Sequence, residues 1–288
     1  YKNNFASPVS INWGHSLFLC SLGTLIVFLL QLIAIKTGFL FTTTSLAGYF
    51  ITNTLLVVFS LLLPVATLYI EKITNPRNVM IDSVGSYSGL GILLLSLLSG
   101  IALSLVRIPL HNLCTWIWLR MGNTIIFPAF FFVNDGNSII EKVLEYVSGT
   151  VIPSFGIALF FTGLLWACIT EKNRRFAYII IPFALAIFSL NPTDFIAYVS
   201  IGLWICFLRE KSGNIIAPLL ALLSSGVVDM LITKYVKMVD ITMVQVYSDM
   251  DSTYLFSSGP AFIAGIILLA FFAKPVNEFS NSYNKKFG

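Results

Sequence analysis

Charged residues are scarce in this sequence. Only 10% of its 288 residues are Asp, Glu, Lys or Arg, whereas a soluble domain carries about a quarter. Hydrophobic residues make up 57%, and the mean hydropathy is +0.88. This balance excludes a soluble protein. A β-barrel is excluded as well, because runs such as Gly91–Leu98 are apolar on every face, whereas barrel strands alternate polar and apolar residues.

Metal-binding and redox motifs are also missing. The chain has four cysteines, none of them in a CxxC pair, and two histidines. A zinc site needs three or four ligands, so we predict no metal site and no cofactor, and we assign the cysteines to packing. His15 and His111 are weak candidates for an axial ligand of a haem-like or chlorophyll-like cofactor, but interfacial hydrogen bonding is the preferred interpretation. The net charge of +4 forms no basic stripe, which argues against a nucleic-acid partner.

Long apolar runs are what the sequence has in abundance. A helix needs ~20 apolar residues to cross a bilayer, so residues 1–288 are predicted to form a single all-α integral membrane domain, a polytopic bundle of about eight spans. Two spans are short, and Asn191-Pro192 between them favours a tight turn joining two close-packed helices over one long helix. The predicted spans are Ser16–Ile35, Ala47–Ile70, Gly85–Val106, Val143–Thr170, Phe176–Leu190, Thr193–Leu208, Asn214–Thr233 and Ser258–Ala273.

The positive charges are unequally divided between the two sides of this topology. Eleven of the 17 Lys and Arg residues fall on the side that holds both termini, and six fall on the other. The positive-inside rule therefore predicts a multi-pass protein with both termini on the cytoplasmic (or stromal) side.

Two connections are too long for simple turns, and the topology places both on the outer side. Residues 107–137 contain Trp116, Trp118 and Arg120, which suit a helix lying in the interface and are our candidates for partner contact. Residues 235–254 carry three aspartates and could form an outer cap. The alternative is that both segments are ordinary interfacial loops, which are more common than dedicated docking surfaces.

Few ionisable residues fall within or near the spans. Glu141, Glu145, Asp194 and Asp229 do so, and none has an opposite charge at helical spacing in its own span. We expect them to snorkel or to end helices rather than to relay protons. The small residues of Ser224-Ser225-Gly226 and of Ala261-x-x-x-Gly265 predict close helix contacts.

Three stretches of the second half keep a characteristic spacing of small and apolar residues: Pro153–Gly163, Ile187–Asn191 and Pro218–Leu222. Over Val143–Asp229 this order resembles the CPBP family, the CAAX-prenyl-protease and bacteriocin-processing (Abi-type) intramembrane proteases. That family carries Glu-Glu-x-x-x-Arg-Gly on one helix, Phe-x-x-x-His on the next, and a late His followed by Asn four residues on. In this chain the corresponding ionisable positions hold Ile157, Ala158, Thr162, Asn191 and Leu222, with Gly226 at the Asn position.

The resemblance implies a CPBP-like core over residues 143–229 that has lost its chemistry. In the family, the glutamate pair activates water and the histidines support a metal or the developing oxyanion. Ile157, Ala158 and Leu222 can do neither, and Asn191 could only donate a hydrogen bond. No catalytic residue is therefore predicted, and the chain is expected to be a pseudoenzyme. We expect plain packing in the former cleft, with a bound lipid or pigment as the alternative.

The leading functional hypothesis is a non-catalytic CPBP-like membrane protein, a structural or assembly subunit of a larger membrane protein complex whose partners are other membrane proteins and lipids. A bacteriocin-immunity-type or lipid- or pigment-binding protein is the alternative. An active intramembrane protease ranks lower, because it would require a different register of the motifs.

Overall fold

The structure, a computed structural model, describes residues 13–37, 54–70, 89–122, 139–170, 174–189, 192–231 and 253–287. Within these ranges all regular secondary structure is helical, and each of the eight predicted spans contains one helix, so the all-α class is confirmed. The helices are α1 Trp13–Thr37, α2 54–70, α3 Leu90–Arg120, α4 139–170, α5 Arg174–Phe188, α6 Phe195–Ser212, α7 Ile216–Leu231 and α8 Thr253–Phe287.

Three helices contain segments that are long and apolar enough to cross a bilayer. These segments are Leu90–Trp118 in α3, Val147–Thr170 in α4 and Gly259–Asn281 in α8. In hydrocarbon the backbone must satisfy its own hydrogen bonds, so such apolar runs fold as helices. They differ in burial, because 72% of the apolar window of α4 is buried and only 11% of that of α8. Helix α4 therefore lies in the core, and α8 lies at the periphery against α3.

The apolar core forms mainly where α4 meets α5 and α6. Phe160, Phe161 and Trp166 of α4 are fully buried there, and the aromatic rings of the first two meet edge to face with centroids 5.0 Å apart. Helices α5 and α6 run antiparallel, with Gly202 packed on the backbone of Pro182. The prediction of two close-packed helices in place of one long helix is confirmed.

Helix α4 is not a regular α-helix. It winds as a π-helix over Val147–Val151 and again over Ala158–Leu165. Each wider turn rotates the faces that follow it, so different stretches of α4 meet different neighbours. Gly156 faces α2, where a Cβ would lie 2.5 Å from Val57 Cγ1, and Thr150 faces α7.

Small residues allow the helices to approach closely where the sequence predicted it. A Cβ added to Gly226 of α7 would lie 2.0 Å from Thr150 Cγ2, and one added to Gly265 of α8 would lie 3.1 Å from the carbonyl oxygen of Ala102 in α3. Both predicted small-residue contacts are confirmed. Gly100 of α3 packs directly against α7. A Cβ added to Gly100 would lie 1.9 Å from Ser224 Oγ and 2.7 Å from the carbonyl oxygen of Ala221.

The prediction that the third span ends at Val106 and that a separate interfacial segment follows is wrong. Helix α3 continues through Arg107 and Pro109 to Arg120 as one 31-residue helix. At 1.5 Å per residue it is about 46 Å long, more than the ~30 Å hydrocarbon core. The helix persists because its polar residues share an inner face, where His111, Asn112 and Thr115 are buried, while Leu113 and Ile117 face outward. Trp116, Trp118 and Arg120 thus lie on the last turns of α3. Residues 123–137 and most of 235–254 lie outside the described residues.

The contact between Gly100 and α7 predicts a specific sensitivity. We expect Gly100→Ala to lower the free energy of unfolding by about 1–3 kcal/mol, because the backbone of α7 blocks the added methyl group. Thermal or denaturant unfolding of the purified protein in detergent measures this change. Gly259→Ala is the matched control, since a Cβ there has nothing within 4 Å, and it should leave stability unchanged or raise it by up to about 1 kcal/mol through the higher helix propensity of Ala. Equal effects of the two substitutions would contradict the close approach.

Candidate functional site

Four ionisable side chains from three helices meet at one end of the bundle. Arg107 Nη1 of α3 donates to Asp229 Oδ2 of α7 over 2.8 Å. One turn further along α3, His111 Nδ1 lies 2.9 Å from Oδ1 of Asp194, the residue that precedes α6. We call Arg107, His111, Asp194 and Asp229 the charge cluster.

Local sequence explains how the cluster assembles. Arg107 and His111 are four residues apart, which places both side chains on one face of α3. Asp194 sits at the start of α6, where its carbonyl oxygen accepts a 2.8 Å hydrogen bond from the Tyr198 N–H. Asp229 is two residues before the end of α7 at Leu231. Because α6 begins beside residues 107–111 of α3 and the last turn of α7, the four side chains converge.

The cluster is almost entirely removed from solvent. The side chains of His111, Asp194 and Asp229 are 2%, 1% and 2% exposed, and that of Arg107 is 14% exposed. A charge buried without a partner costs several kcal/mol, whereas paired charges recover most of that cost. The two carboxylates therefore hold α6 and α7 against α3.

Neutral polar groups and an aromatic ring surround the charges. The Arg107 guanidinium lies over the ring of Tyr198, 5.4 Å from its centroid. Ser104 Oγ donates to the carbonyl oxygen of Ser225 over 3.0 Å, one turn below the ion pair on α3 and α7. Such contacts supply the additional hydrogen bonds and the cation–π interaction that a buried ion pair requires.

One part of the cluster has the order of groups found in nucleophilic hydrolases. Thr115 Oγ1 lies 3.3 Å from His111 Nε2, and His111 Nδ1 lies 2.9 Å from Asp194. A carboxylate on one ring nitrogen fixes the tautomer, so the other nitrogen could accept a proton from a hydroxyl. The Thr115 side chain is completely buried, however, and helix α3 supplies both its hydroxyl and the imidazole. In this geometry the hydroxyl satisfies the imidazole and is not presented to a substrate.

The structure corrects the expectation that Asp194 and Asp229 snorkel or merely end helices. Both are buried and each pairs with a group on α3. His111 is likewise buried in the cluster, whereas His15 is exposed near the start of α1. A usable signal was present in the sequence: Arg107 and His111 share a helix face, and buried carboxylates need such partners. The side chains of Glu141 and Glu145 lie outside the described residues.

The positions that correspond to the family motif lie deeper in the bundle. Ile157, Ala158 and Thr162 of α4 and Leu222 of α7 are all buried, and Ile157 and Leu222 belong to one apolar cluster. The Thr162 hydroxyl donates to the carbonyl oxygen of Ala158, four residues earlier in its own helix. Asn191 lies outside the described residues. We call Ile157, Ala158, Thr162 and Leu222 the motif frame.

A buried arginine contacts the motif frame from the neighbouring helix. Arg209 of α6 is completely buried, and its Nε donates to the carbonyl oxygen of Thr162 over 2.7 Å. Thr162 lies within the π-helical segment Ala158–Leu165, where the regular pattern of backbone hydrogen bonds is altered. The topology prediction counted Arg209 only as a charge on the side of the termini, so sequence reasoning missed this contact.

The charge cluster and the motif frame share one face of α7. Asp229 follows Gly226 by three residues and Leu222 by seven, which is a displacement of about 4.5 Å and 10 Å along the helix. Asp194 likewise follows Asn191 by three residues. The charge cluster is therefore displaced by one to two helical turns from the positions that the resemblance assigns to the family's ionisable groups. Within the described ranges no three His, Cys, Asp or Glu side chains are close enough to hold a metal ion.

Breaking one half of the buried ion pair should be costly. We expect Asp229→Ala to lower the free energy of unfolding by about 3–5 kcal/mol, because Arg107 would keep its buried charge without this carboxylate. Arg107→Met combined with Asp229→Leu should cost less than the single change, since both charges are then removed. Denaturant unfolding in detergent measures both effects. Arg174→Ala is the control, because its pair with Glu210 spans 3.3 Å with the Arg174 side chain 61% exposed, and it should cost less than about 1 kcal/mol. If the double variant were as unstable as Asp229→Ala, the pairing argument would fail.

Comparison with known proteins identifies the segment that contains the motif frame. Residues 139–224, from the first residue of α4 into α7, match the family model described as Type II CAAX prenyl endopeptidase Rce1-like. Neither the curated proteins nor the solved structures contain a match to this chain. The matched segment is less than a third of the 288 residues and lies within the predicted core at 143–229, apart from its first four residues. Together with the long apolar helices, it indicates an integral membrane protein in which residues 139–224 are similar to the Rce1-like family.

Proposed function

We propose that this protein is a pseudoenzyme of the CPBP family and that it acts by contact, as a structural or assembly subunit of a larger membrane complex. The observation that carries the proposal is the chemistry of the motif frame. Ile157, Ala158 and Leu222 are buried apolar side chains, and the resemblance assigns to them the positions of the family's base and histidine. Hydrolysis needs a group that accepts a proton from water, and an aliphatic side chain has none.

The charge cluster is a poor replacement for the lost centre. Its two carboxylates are already engaged, one by Arg107 and the other by His111. A general base must reach a substrate or a water molecule, but His111 and Thr115 are buried side by side in the same helix. The geometry supports a role for the cluster in holding α3, α6 and α7 together.

Two surfaces support a role in contact. Helix α8 buries little of its apolar window, and Ile263, Ile267 and Phe271 are 60%, 61% and 68% exposed. The last turns of α3 carry Trp116, Trp118 and Arg120, with the Arg120 guanidinium 5.4 Å from the Trp116 ring centroid. Trp and Arg are enriched at binding hot spots and also at membrane interfaces, so this end of α3 is the proposed contact with a partner protein.

The absence of catalysis can be tested directly. We expect the purified chain, reconstituted in vesicles, to release no C-terminal tripeptide from a farnesylated CAAX peptide above the rate in protein-free vesicles, because the motif frame lacks a base. Mass spectrometry of the peptide measures release, and an active Rce1-like protease serves as the positive control. Cleavage that is lost in Glu141→Gln, Glu145→Gln or His111→Gln would overturn the pseudoenzyme proposal.

The contact role has its own test in the native membrane. We expect a photo-crosslinking amino acid in place of Trp118 to give a covalent adduct with a second membrane protein, visible as a band of higher mass. The same amino acid in place of Phe18, an exposed residue of α1, is the matched control and should give no discrete adduct. If neither position gave an adduct, and the chain migrated alone after gentle solubilisation, the subunit proposal would be wrong.

A further inference from the structure

Charge is concentrated in two short stretches of a chain that otherwise has little of it. Residues 171–175 and 209–211 contain seven charged residues among eight, although only 10% of the whole chain is charged. Two of the seven are glutamates, and five are cations: Lys172, Arg174, Arg175, Arg209 and Lys211. The two stretches therefore carry a net formal charge of +3, out of +4 for the whole chain.

The structure brings these two stretches together where α5 begins and α6 ends. Arg174 Nη1 donates to Glu210 Oε1 over 3.3 Å, and the Tyr178 hydroxyl donates to the other oxygen of the same carboxylate. Glu210 therefore joins the two helices. Lys211 Nζ lies 6.0 Å from the ring centroid of Phe207, one turn earlier in α6, so a cation–π contact holds the ammonium group at the same end of the hairpin.

Three of the cations are accessible at this end of the bundle. The Arg174 side chain is 61% exposed, Arg175 is exposed and Lys211 is half-buried. We call Arg174, Arg175 and Lys211 the basic surface. Arg209 does not belong to it, because its side chain is completely buried against Thr162. With the carboxylate of Glu210 included, the basic surface keeps a net charge of +2 and so attracts an anionic ligand.

The basic surface lies directly after a segment that is suited to cross a bilayer. The apolar segment Val147–Thr170 of α4 ends four residues before Arg174. A group of Lys and Arg residues just beyond a membrane span is placed at the level of the lipid headgroups, where it attracts those that are anionic.

The residues that follow in α5 distinguish a lipid from other anions. Phe176 and Ile179 come directly after the two arginines and are 54% and 57% exposed. An amphiphile with an anionic head contacts both these apolar side chains and the basic surface. Free phosphate or an acidic peptide meets only the charges. Charge and apolar exposure at the start of one helix thus fit a phospholipid best.

We propose that the basic surface is a binding site for the headgroups of anionic phospholipids. An arginine guanidinium donates two parallel hydrogen bonds to phosphate oxygens, and the lysine ammonium adds a point charge. A zwitterionic lipid is bound less well, because its own cationic group offsets the charge of its phosphate. The site therefore selects net negative lipids, and this selection is independent of the contact role proposed above.

Native mass spectrometry of the full chain tests this proposal. The chain, purified in detergent, is mixed with equal amounts of phosphatidylglycerol and of phosphatidylcholine with deuterated acyl chains, and the bound lipids are counted by mass. Arg175→Gln combined with Lys211→Gln removes two charges and leaves the Arg174–Glu210 pair in place. The matched control, Arg175→Lys combined with Lys211→Arg, keeps both charges. Arg120→Gln is a second control, because it removes an exposed cation from the end of α3.

We expect the wild-type chain to retain phosphatidylglycerol in about five- to 25-fold excess, since each basic side chain near the headgroups contributes about five-fold. The double Gln variant should lose most of this preference, and both controls should keep it. An unchanged preference in the double Gln variant would overturn the proposal, as would an equal loss in the charge-conserving control.

Two further outcomes separate lipid from other anions. Inorganic phosphate, compared with chloride at the same ionic strength, should leave the bound phosphatidylglycerol in place. Displacement by phosphate would overturn lipid as the occupant and identify a site for the free anion. Equal retention of the two lipids by the wild-type chain would also overturn the proposal, in favour of an acidic segment of a partner protein.

Discussion

The cost of placing carboxylates in a membrane protein's interior governs this structure. Asp194 and Asp229 lie on helices whose other buried residues are almost all apolar, and each is kept from solvent by its partner on α3. Replacing only one member of the Arg107–Asp229 pair with an apolar residue would leave the other charge in a medium of low dielectric constant. Helix α3 must therefore continue past Val106 at least as far as His111, 21 residues after its start at Leu90.

The same cost explains which parts of the architecture could be predicted from the sequence. The positions of eight helices followed from apolar runs, because a helix of suitable length is the one way to bury such a run in lipid. The length of α3 did not follow, since Arg107 was interpreted as a residue that ends a span. Its partner Asp229 is 122 residues away, and no local pattern reports on a contact at that separation.

The motif frame and the charge cluster also differ in how far the sequence predicts them. The motif frame was accessible to sequence reasoning because Ile157, Ala158 and Leu222 keep a spacing along the chain, and all three lie within the matched segment at 139–224. The charge cluster was not, since its four members come from three helices and three of them lie outside the matched segment at 139–224. Pairing between helices depends on how the helices are arranged in space. That arrangement includes π-helical turns in α4, which the sequence pattern did not predict.

The contacts of Arg107 with Asp229 and of His111 with Asp194 also bear on the order in which the helices enter the membrane. Arg107 and His111 are synthesised 122 and 83 residues before the aspartates that they bind. Both side chains of α3 are therefore already in place when α6 and α7 leave the ribosome, and each aspartate meets its partner on arrival. In the reverse order, two carboxylates would have to enter the lipid first. The order of helices along the chain is thus also a workable order of insertion, in which α3 serves as the template for α6 and α7.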